Sequence, residues 1–410
     1  MANLTSSRRI PELDGLRGIA ILLVLLFHYF YHYPDASYQP AGLIRNTFLQ
    51  FERSISLGWT GVDLFFVLSG FLIGGILLDA RSSPLYFKAF YVRRLYRIVP
   101  LYYVWILTYV VVLLLADSLF KANTSSFGGP PASSRLYLLP AFLQNFGVVG
   151  YSRFARAWFQ PTWSLAVEEQ FYLLAPLVIR VFSRRQLFWL IGLVIFLAPS
   201  LRLWIRYHVP ATGFEPAYEL MPCRADALAM GILAALLWRS GAFRSWLSDH
   251  AFLFYGLAGI SLAGVVVLGS YSPVYWSLSM ESIGYTWIAG FYTAILLLAL
   301  GAPSGLVARV ARMGWLRELG RVSYCLYIIH TGVAYLCQGS LQAGARHIES
   351  WQTVLVNVPA ALIVFFIARF SWTYFEHPLL SRGHSHHYFP DRGANGSAPT
   401  PEAARVALGT

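Results

Sequence analysis

Arginine and histidine are costly inside a lipid bilayer, yet this 410-residue chain sets one of each in a single apolar run. In RGIAILLVLLFHYFYHY, Arg17 and His28 are eleven residues apart. At 100° per residue this is three turns plus about 20°, so the two side chains share one helical face. The rise between them is roughly 16 Å, which sets His28 about halfway across a hydrocarbon core of about 30 Å. Ionisable groups at that depth mark a functional site by default. A neutral imidazole there can take a proton from a hydroxyl, the work of a general base. His28 and His32 are also four apart, a metal-ligating spacing, but no third ligand accompanies them and no metal is expected.

Other runs repeat the pattern. FYVRRLYRIVPLYY sets Arg94 and Arg97 three apart on one face, with Lys88 and Arg93 close by. Two readings fit: a cationic anchor at the membrane edge, or a clamp for phosphate oxygens, which guanidinium forks suit. In PTWSLAVEEQFYLLAPL, Ser164 and Glu168 share a face while Glu169 points about 100° away. At least one carboxylate needs a polar partner or a wet cavity. Arg224 in PCRADALAMG is a candidate, for which Asp226 competes. GVDLFFVLSGFLIGGIL carries Asp63 and Ser69, and GRVSYCLYIIH carries Ser323, Tyr327 and His330 along one stripe. FEHPLL places Glu376 and His377 at a helix end. Polar contact between helices is the default for the serines and tyrosines; for Asp63 and His330 the functional and structural readings stand equal.

The elements that must hold these groups are membrane helices. The chain is 57% hydrophobic and only 12% charged, with a mean hydropathy of +0.54, whereas a soluble domain carries about 25% charge. Ten apolar segments reach spanning length: Leu16 to Tyr33, Leu57 to Leu78, Tyr96 to Ala116, Thr162 to Phe182, Leu187 to Ile205, Ala217 to Trp238, Ala251 to Ser270, Ser282 to Leu300, Leu319 to Cys337 and Val354 to Tyr374. With the N-terminus inside, most arginines fall on the inner side, Arg8, Arg9, Arg93, Arg94, Arg97, Arg184, Arg185, Arg239, Arg309, Arg312, Arg317 and Arg321 among them. Arg202 and Arg206 sort to the outer side and Arg224 lies within a span. The net charge of +12 therefore reads as an orientation signal, with both termini inside, and not as a nucleic-acid footprint. Three scattered cysteines give no disulfide framework. SSRLYLLPAFLQNF, too short to span, reads as an interfacial or re-entrant helix. Beyond Arg382 the composition turns to Gly, Ser, Pro and Ala, so a disordered tail with solvated His384, His386 and His387 is expected.

Taken in order, LDGLRGIAILLVLLFH, GVDLFFVLSGFLI, FYVRRLYRIVPLYY, WSLAVEEQFYL, SYCLYIIH and FEHPLL resemble the bacterial membrane O-acyltransferases of acyltransferase family 3. The resemblance runs from about Pro11 to Leu380. It implies an all-α integral membrane protein, a bundle of about ten transmembrane helices in the bacterial cytoplasmic (inner) membrane. The membrane acyltransferase domain would cover 11–380, between a cytoplasmic segment 1–10 and a disordered cytoplasmic tail 381–410.

The resemblance also implies transfer of an acyl group, often acetyl, from acyl-CoA to a hydroxyl. The acceptor would be a surface glycan, peptidoglycan, a lipid-linked sugar or a macrolide. The family's arginine and histidine with ten residues between them match Arg17 and His28, and its R-x-x-R matches Arg94 and Arg97. Its W-S-L-x-V-E-x-Q-F-Y-L segment matches Trp163, Ser164, Glu168 and Gln170, which selects Glu168 over Glu169. On that footing His28 is the expected general base, with Glu168 or Asp63 orienting its ring. A covalent relay through His28 or Ser69 is the rival course. Arg17, Arg94 and Arg97 are expected to hold acyl-CoA, and Trp163, Ser164, Gln170, Tyr172, Arg224 and His330 to bind the acceptor. The rival class is a transporter of protons or small solutes, since buried ionisable residues also line ion paths. Transporters often carry paired repeats with interrupted helices, and none is visible here.

Overall fold

The computed structural model describes residues 10–31, 54–120, 136–146, 153–209, 215–271, 274–341 and 351–389, and no strand occurs among them. The main helices are α1 (Pro11–Phe30), α2 (Gly61–Asp79), α3 (Tyr86–Phe120), α4 (Arg153–Phe159), α5 (Thr162–Val181) and α6 (Arg184–His208). They continue with α7 (Met221–Trp238), α8 (Ala251–Tyr271), α9 (Tyr285–Gly301), α10 (Gly314–Leu341), α11 (Trp351–Ser371) and α12 (His377–His384). A helix underlies each of the ten apolar segments. In lipid this is the one open-ended solution, because a helix satisfies its backbone polar groups within itself.

Among the described residues, eight helices are long and apolar enough to cross a membrane. Helices α5 and α10 have 20 and 28 residues but fall outside that set. The bundle has two layers. The apolar stretch of α2 is 78% buried, whereas that of α8 is 17% buried and presents Phe252, Ile260 and Val266 outward. Helices α3, α6 and α11 resemble α8, with Leu107, Phe196 and Phe366 exposed. A lipid-facing helix has no reason to hide leucine or phenylalanine, so the inner layer is where polar residues collect.

Close approach of helix backbones builds that inner layer, as expected where apolar burial no longer drives association. A Cβ on Gly70 of α2 would stand 2.1 Å from the Leu228 carbonyl oxygen of α7, and one on Gly231 of α7 would stand 2.2 Å from that of Val67. The same holds where α1 meets α10. A Cβ on Gly18 would meet the Leu316 carbonyl oxygen at 1.9 Å, and one on Gly320 would meet that of Asp14 at 1.7 Å.

Two expectations are corrected. SSRLYLLPAFLQNF forms no single helix over its described part; Leu136–Ala141 and Gln144–Phe146 are short 3-10 turns, with Pro140 in the first and Phe142 between them at φ 54°. A left-handed residue ends helical continuation there. The tail is ordered further than its composition suggests. Helix α12 runs to His384, and Tyr388 is buried against α3. Arg93 donates to the His386 carbonyl at 2.9 Å and lies over the Tyr388 ring at 4.7 Å, while the Ser83 hydroxyl donates to the Tyr388 carbonyl. Burial raises the Tyr388 phenol above its ordinary range, against the opposing pull of Arg94 and Arg93. Residues 390–410 lie outside the described residues.

The glycine contacts give a direct test. Gly70→Ala should lower thermal stability in detergent by about 1–3 kcal/mol or more, because backbone must move to admit the methyl group. Gly256→Ala on α8, where nothing lies within 4 Å, should leave stability unchanged or slightly raised. Equal behaviour of the two variants would contradict the close α2–α7 approach.

Candidate active site

Helices α1 and α10 run side by side in the same direction, in contact at Gly18 and Gly320. Ten residues beyond each glycine, about 15 Å along each axis, stand His28 and His330. Their rings lie 4.8 Å apart, centre to centre, edge to face. His28 is half-buried and His330 fully buried. The Nδ1 of His28 is 2.9 Å from the Val24 carbonyl oxygen, and that of His330 is 2.7 Å from the Tyr327 carbonyl oxygen. A carbonyl only accepts, so both Nδ1 atoms carry hydrogen and both neutral rings present their lone pair at Nε2. The tautomer needed for a base at Nε2 is thus set by each histidine's own helix.

From the histidines a file of polar groups runs along α5. The Tyr327 ring lies 5.8 Å from that of His330, and its hydroxyl shares a 2.6 Å hydrogen bond with Ser164. One turn further, Glu168 accepts from Ser69 of α2 at 2.7 Å and from Tyr172 at 2.8 Å. Both oxygens of Glu168 are therefore engaged, and what orients His28 is the Val24 carbonyl and not a carboxylate. His32, the metal-spacing partner of His28, lies outside the described residues.

The file ends among arginines. The Arg94 guanidinium lies over the rings of Tyr172 and Phe90 at 5.8 and 5.9 Å, and its buried Nε has no hydrogen-bond partner among the described residues. Arg17 lies within electrostatic range of Arg97, Asp14, Tyr172 and Glu168, and Arg94 within range of Arg97 and Glu169. Glu376 accepts from Ser371 at 2.9 Å and also lies within range of Arg97. The structure thus gathers Arg17, Arg94 and Arg97 at one end of the file and His28 and His330 at the other. Lys88 is exposed, and Arg93 is held by the carbonyls of the terminal segment.

Other singled-out residues stand elsewhere. Asp63 forms a fully buried ion pair with Arg224, so the partner of Arg224 is neither Glu168 nor Asp226. Around that cation lie the rings of Tyr285 at 4.2 Å, Tyr218 at 5.0 Å and Phe66 at 5.7 Å. Trp163 belongs to the same aromatic wall, 4.6 Å from the Tyr218 ring. Gln170 exchanges amide hydrogen bonds with Asn145 and donates to the Phe142 carbonyl, which ties the 3-10 turns to α5. Among the described residues none of these has a hydrogen bond or ring contact with either histidine. Sequence reasoning sorted Arg202 to the outer side and gave it no partner; it is fully buried. It donates to Asp226 at 2.9 Å, to the Cys223 and Glu281 carbonyls, and to Thr286. An acid and a base lying inside separate spans were the signal available.

A family model described as an acyltransferase domain matches residues 10–372. The chain belongs to that acyltransferase family. Among curated proteins it is similar to the O-acetyltransferase OatA of Staphylococcus aureus (strain NCTC 8325 / PS 47), 26% identical over 393 residues, with 92% of this chain and 58% of that protein covered. It is also 26% identical over 389 residues to the peptidoglycan O-acetyltransferase OatA of Listeria monocytogenes, with 92% and 57% covered. The chain therefore spans less than two thirds of the length of either relative. No solved structure matches it. The acyltransferase match covers every residue of the polar file, from Arg17 to His330.

The Asp63–Arg224 pair is testable by a thermodynamic cycle. Asp63→Asn or Arg224→Gln alone should each cost about 3–5 kcal/mol, since each leaves the other partner buried without its counterion. The double variant should lose clearly less than the sum, read from thermal unfolding in detergent. Additive losses would mean that the two side chains are not coupled.

Proposed function

We propose that the protein transfers an acyl group, acetyl first among them, from acyl-CoA to a hydroxyl of a carbohydrate acceptor. The observation that carries this reading is the polar file that joins a cationic end to a paired-histidine end. The family supports acyl transfer, and the relatives' names point to O-acetylation, in one case of peptidoglycan. In this reading α5 and α10 also cross the membrane, the arginine end faces the cytoplasm, and both termini lie inside.

Arg17, Arg94 and Arg97 suit the phosphates of a CoA donor. Among the described residues the buried Arg94 Nε has no partner, a donor suited to an acceptor oxygen. The roughly 16 Å from Arg17 to His28 suits an extended pantetheine arm, which would bring the thioester to the histidine end. His28 Nε2 takes the proton of the acceptor hydroxyl as its oxygen attacks the acyl carbon. The new C–O bond forms, the C–S bond breaks, and His28 returns the proton to the departing CoA thiolate. The Val24 carbonyl holds the ring in the tautomer this requires. Ser164, Tyr172 and Tyr327 line the way between the two ends, and Glu168 balances the arginine charge.

Donor and base are tested separately. Acetyl-CoA should raise the apparent stability of purified wild-type protein by about 2.7 kcal/mol at a hundredfold excess over Kd, an increase lost in the Arg94→Ala, Arg97→Ala double variant. A shift that survives in the double variant, or none at all in wild type, would sink the donor assignment. Expression of the full chain in a bacterium whose peptidoglycan lacks O-acetyl groups should add alkali-releasable acetate to purified sacculi. His28→Ala should cut that transfer by about a hundredfold or more with membrane insertion intact, and unaltered transfer would remove His28 from the chemistry.

A further inference from the structure

Arg94 and the residue before it are turned to different tasks. Successive residues of a helix point about 100° apart, so Arg94 meets Tyr172 and Phe90 while Arg93 meets the terminal segment. There Arg93 donates to the His386 carbonyl at 2.9 Å and to the His384 carbonyl at 3.4 Å, and its guanidinium lies 4.7 Å from the centre of the Tyr388 ring. Two carbonyls and a π face occupy this cation without cancelling its charge. Arg93 is therefore a fastening, and not a member of the cationic group at the end of the file.

The fastening bears on Arg94 because both arginines belong to the first turns of α3. Helix α5 holds that stretch through Tyr86, which donates to the Pro176 carbonyl, and Tyr91, which donates to the Leu173 carbonyl, both at 3.0 Å. The terminal segment holds it as well. A Cβ on Gly383 would stand 3.0 Å from that of Tyr96, the His386 ring stacks with the Tyr96 ring at 6.3 Å, and Ser83, just ahead of α3, donates to the Tyr388 carbonyl. Tyr388 is 5% exposed, and it lies within electrostatic range of Arg94 as well as Arg93. One buried ring thus neighbours both arginines.

We propose that Tyr388 is a positioning residue for the donor: lying against Arg93, its ring fixes the first turns of α3 and so holds the Arg94 guanidinium where the donor's phosphates bind. The inference rests on the reading of Arg94 as part of a phosphate clamp. Tyr388 itself touches neither donor nor acceptor. Without the ring, Arg93 keeps its two carbonyls but loses the surface it rests on, and the start of α3 gains freedom to turn. Donor binding would then carry the entropic cost of ordering Arg94, which the packed terminal segment meets in advance. That cost falls on donor affinity and leaves the chemistry at His28 alone.

The test measures equilibrium binding of radiolabelled acetyl-CoA, and of unlabelled CoA by competition, to full-length protein in detergent, with the thermal unfolding of each variant recorded. Tyr388→Ala should weaken both ligands about tenfold and by the same factor, because the fault lies at the phosphates and not at the acyl group. Tyr388→Phe keeps the ring and should bind within about twofold of wild type. Phe389→Ala, which removes an exposed neighbour, should bind as wild type does. The proposal is overturned if Tyr388→Ala binds normally, if Tyr388→Phe loses as much as Tyr388→Ala, or if the loss spares CoA. If wild type binds no acetyl-CoA, or the Arg94→Ala, Arg97→Ala double variant binds it as wild type does, the donor reading has failed and Tyr388 has nothing to position. If Tyr388→Ala does not fold, Arg93→Gln decides: the same loss is expected, and unchanged affinity overturns the proposal.

Discussion

The centre of this bundle depends on how closely two parallel helices approach. Where α1 crosses α10, the carbonyls of Leu316 and Asp14 occupy the space a side chain would need, so only glycine fits at 18 and 320. In lipid such contacts hold helices together through packing alone, with no water to squeeze out. They also fix register. With the two backbones locked at one level, equal counts of ten residues carry His28 and His330 to a common height. A one-residue slip in either helix would rotate one imidazole by about 100° and part the pair.

Around that axis the structure handles buried charge in two ways. Asp63 with Arg224 and Asp226 with Arg202 are closed pairs, walled by aromatic rings or capped by carbonyls. The arginines at the end of the file form an open group, in which the positive charges of Arg17, Arg94 and Arg97 stand near one another. Closed pairs hold helices in place, joining α2 to α7 and the more exposed α6 to α7. An open group of cations keeps capacity for an anion, which is what a phosphate-bearing donor would use.

Much of this was legible in the chain and some was not, for physical reasons. Helix positions could be read from hydropathy because lipid imposes an apolar surface over every crossing, and the spacing of Arg17 and His28 translated directly into a shared face. Partner choice could not be read. Asp63 and Arg224 are 161 residues apart, and nothing in local spacing says that Arg224 prefers Asp63 to Asp226. The same is true of the two histidines, which belong to opposite ends of the sequence. The terminal segment misled because its glycine and serine content conceals one anchoring aromatic, Tyr388, and carbonyls that Arg93 can reach. Those contacts are made by backbone oxygen, which composition does not reveal.

The direction of α1 has a further electrostatic consequence. A helix carries about half a positive charge at its N-terminus and half a negative charge at its C-terminus. Arg17 lies in the second turn of α1 and His28 in its last, so the arginine end and the histidine end sit at opposite poles of one dipole. Helix α10 runs parallel, and its poles add to the first. These two helices therefore add a field along the file, opposed in part by α5, which runs the other way, and that field is hospitable to an anion where a donor would enter. At the other pole it is hospitable to a cation, where an imidazole would briefly hold a proton. Favourable poles of this kind contribute about 0.3–1 kcal/mol each at exposed sites and up to about 2 kcal/mol when partly buried. The fold thus supplies part of its polarity through backbone amides, a contribution that no side-chain substitution removes.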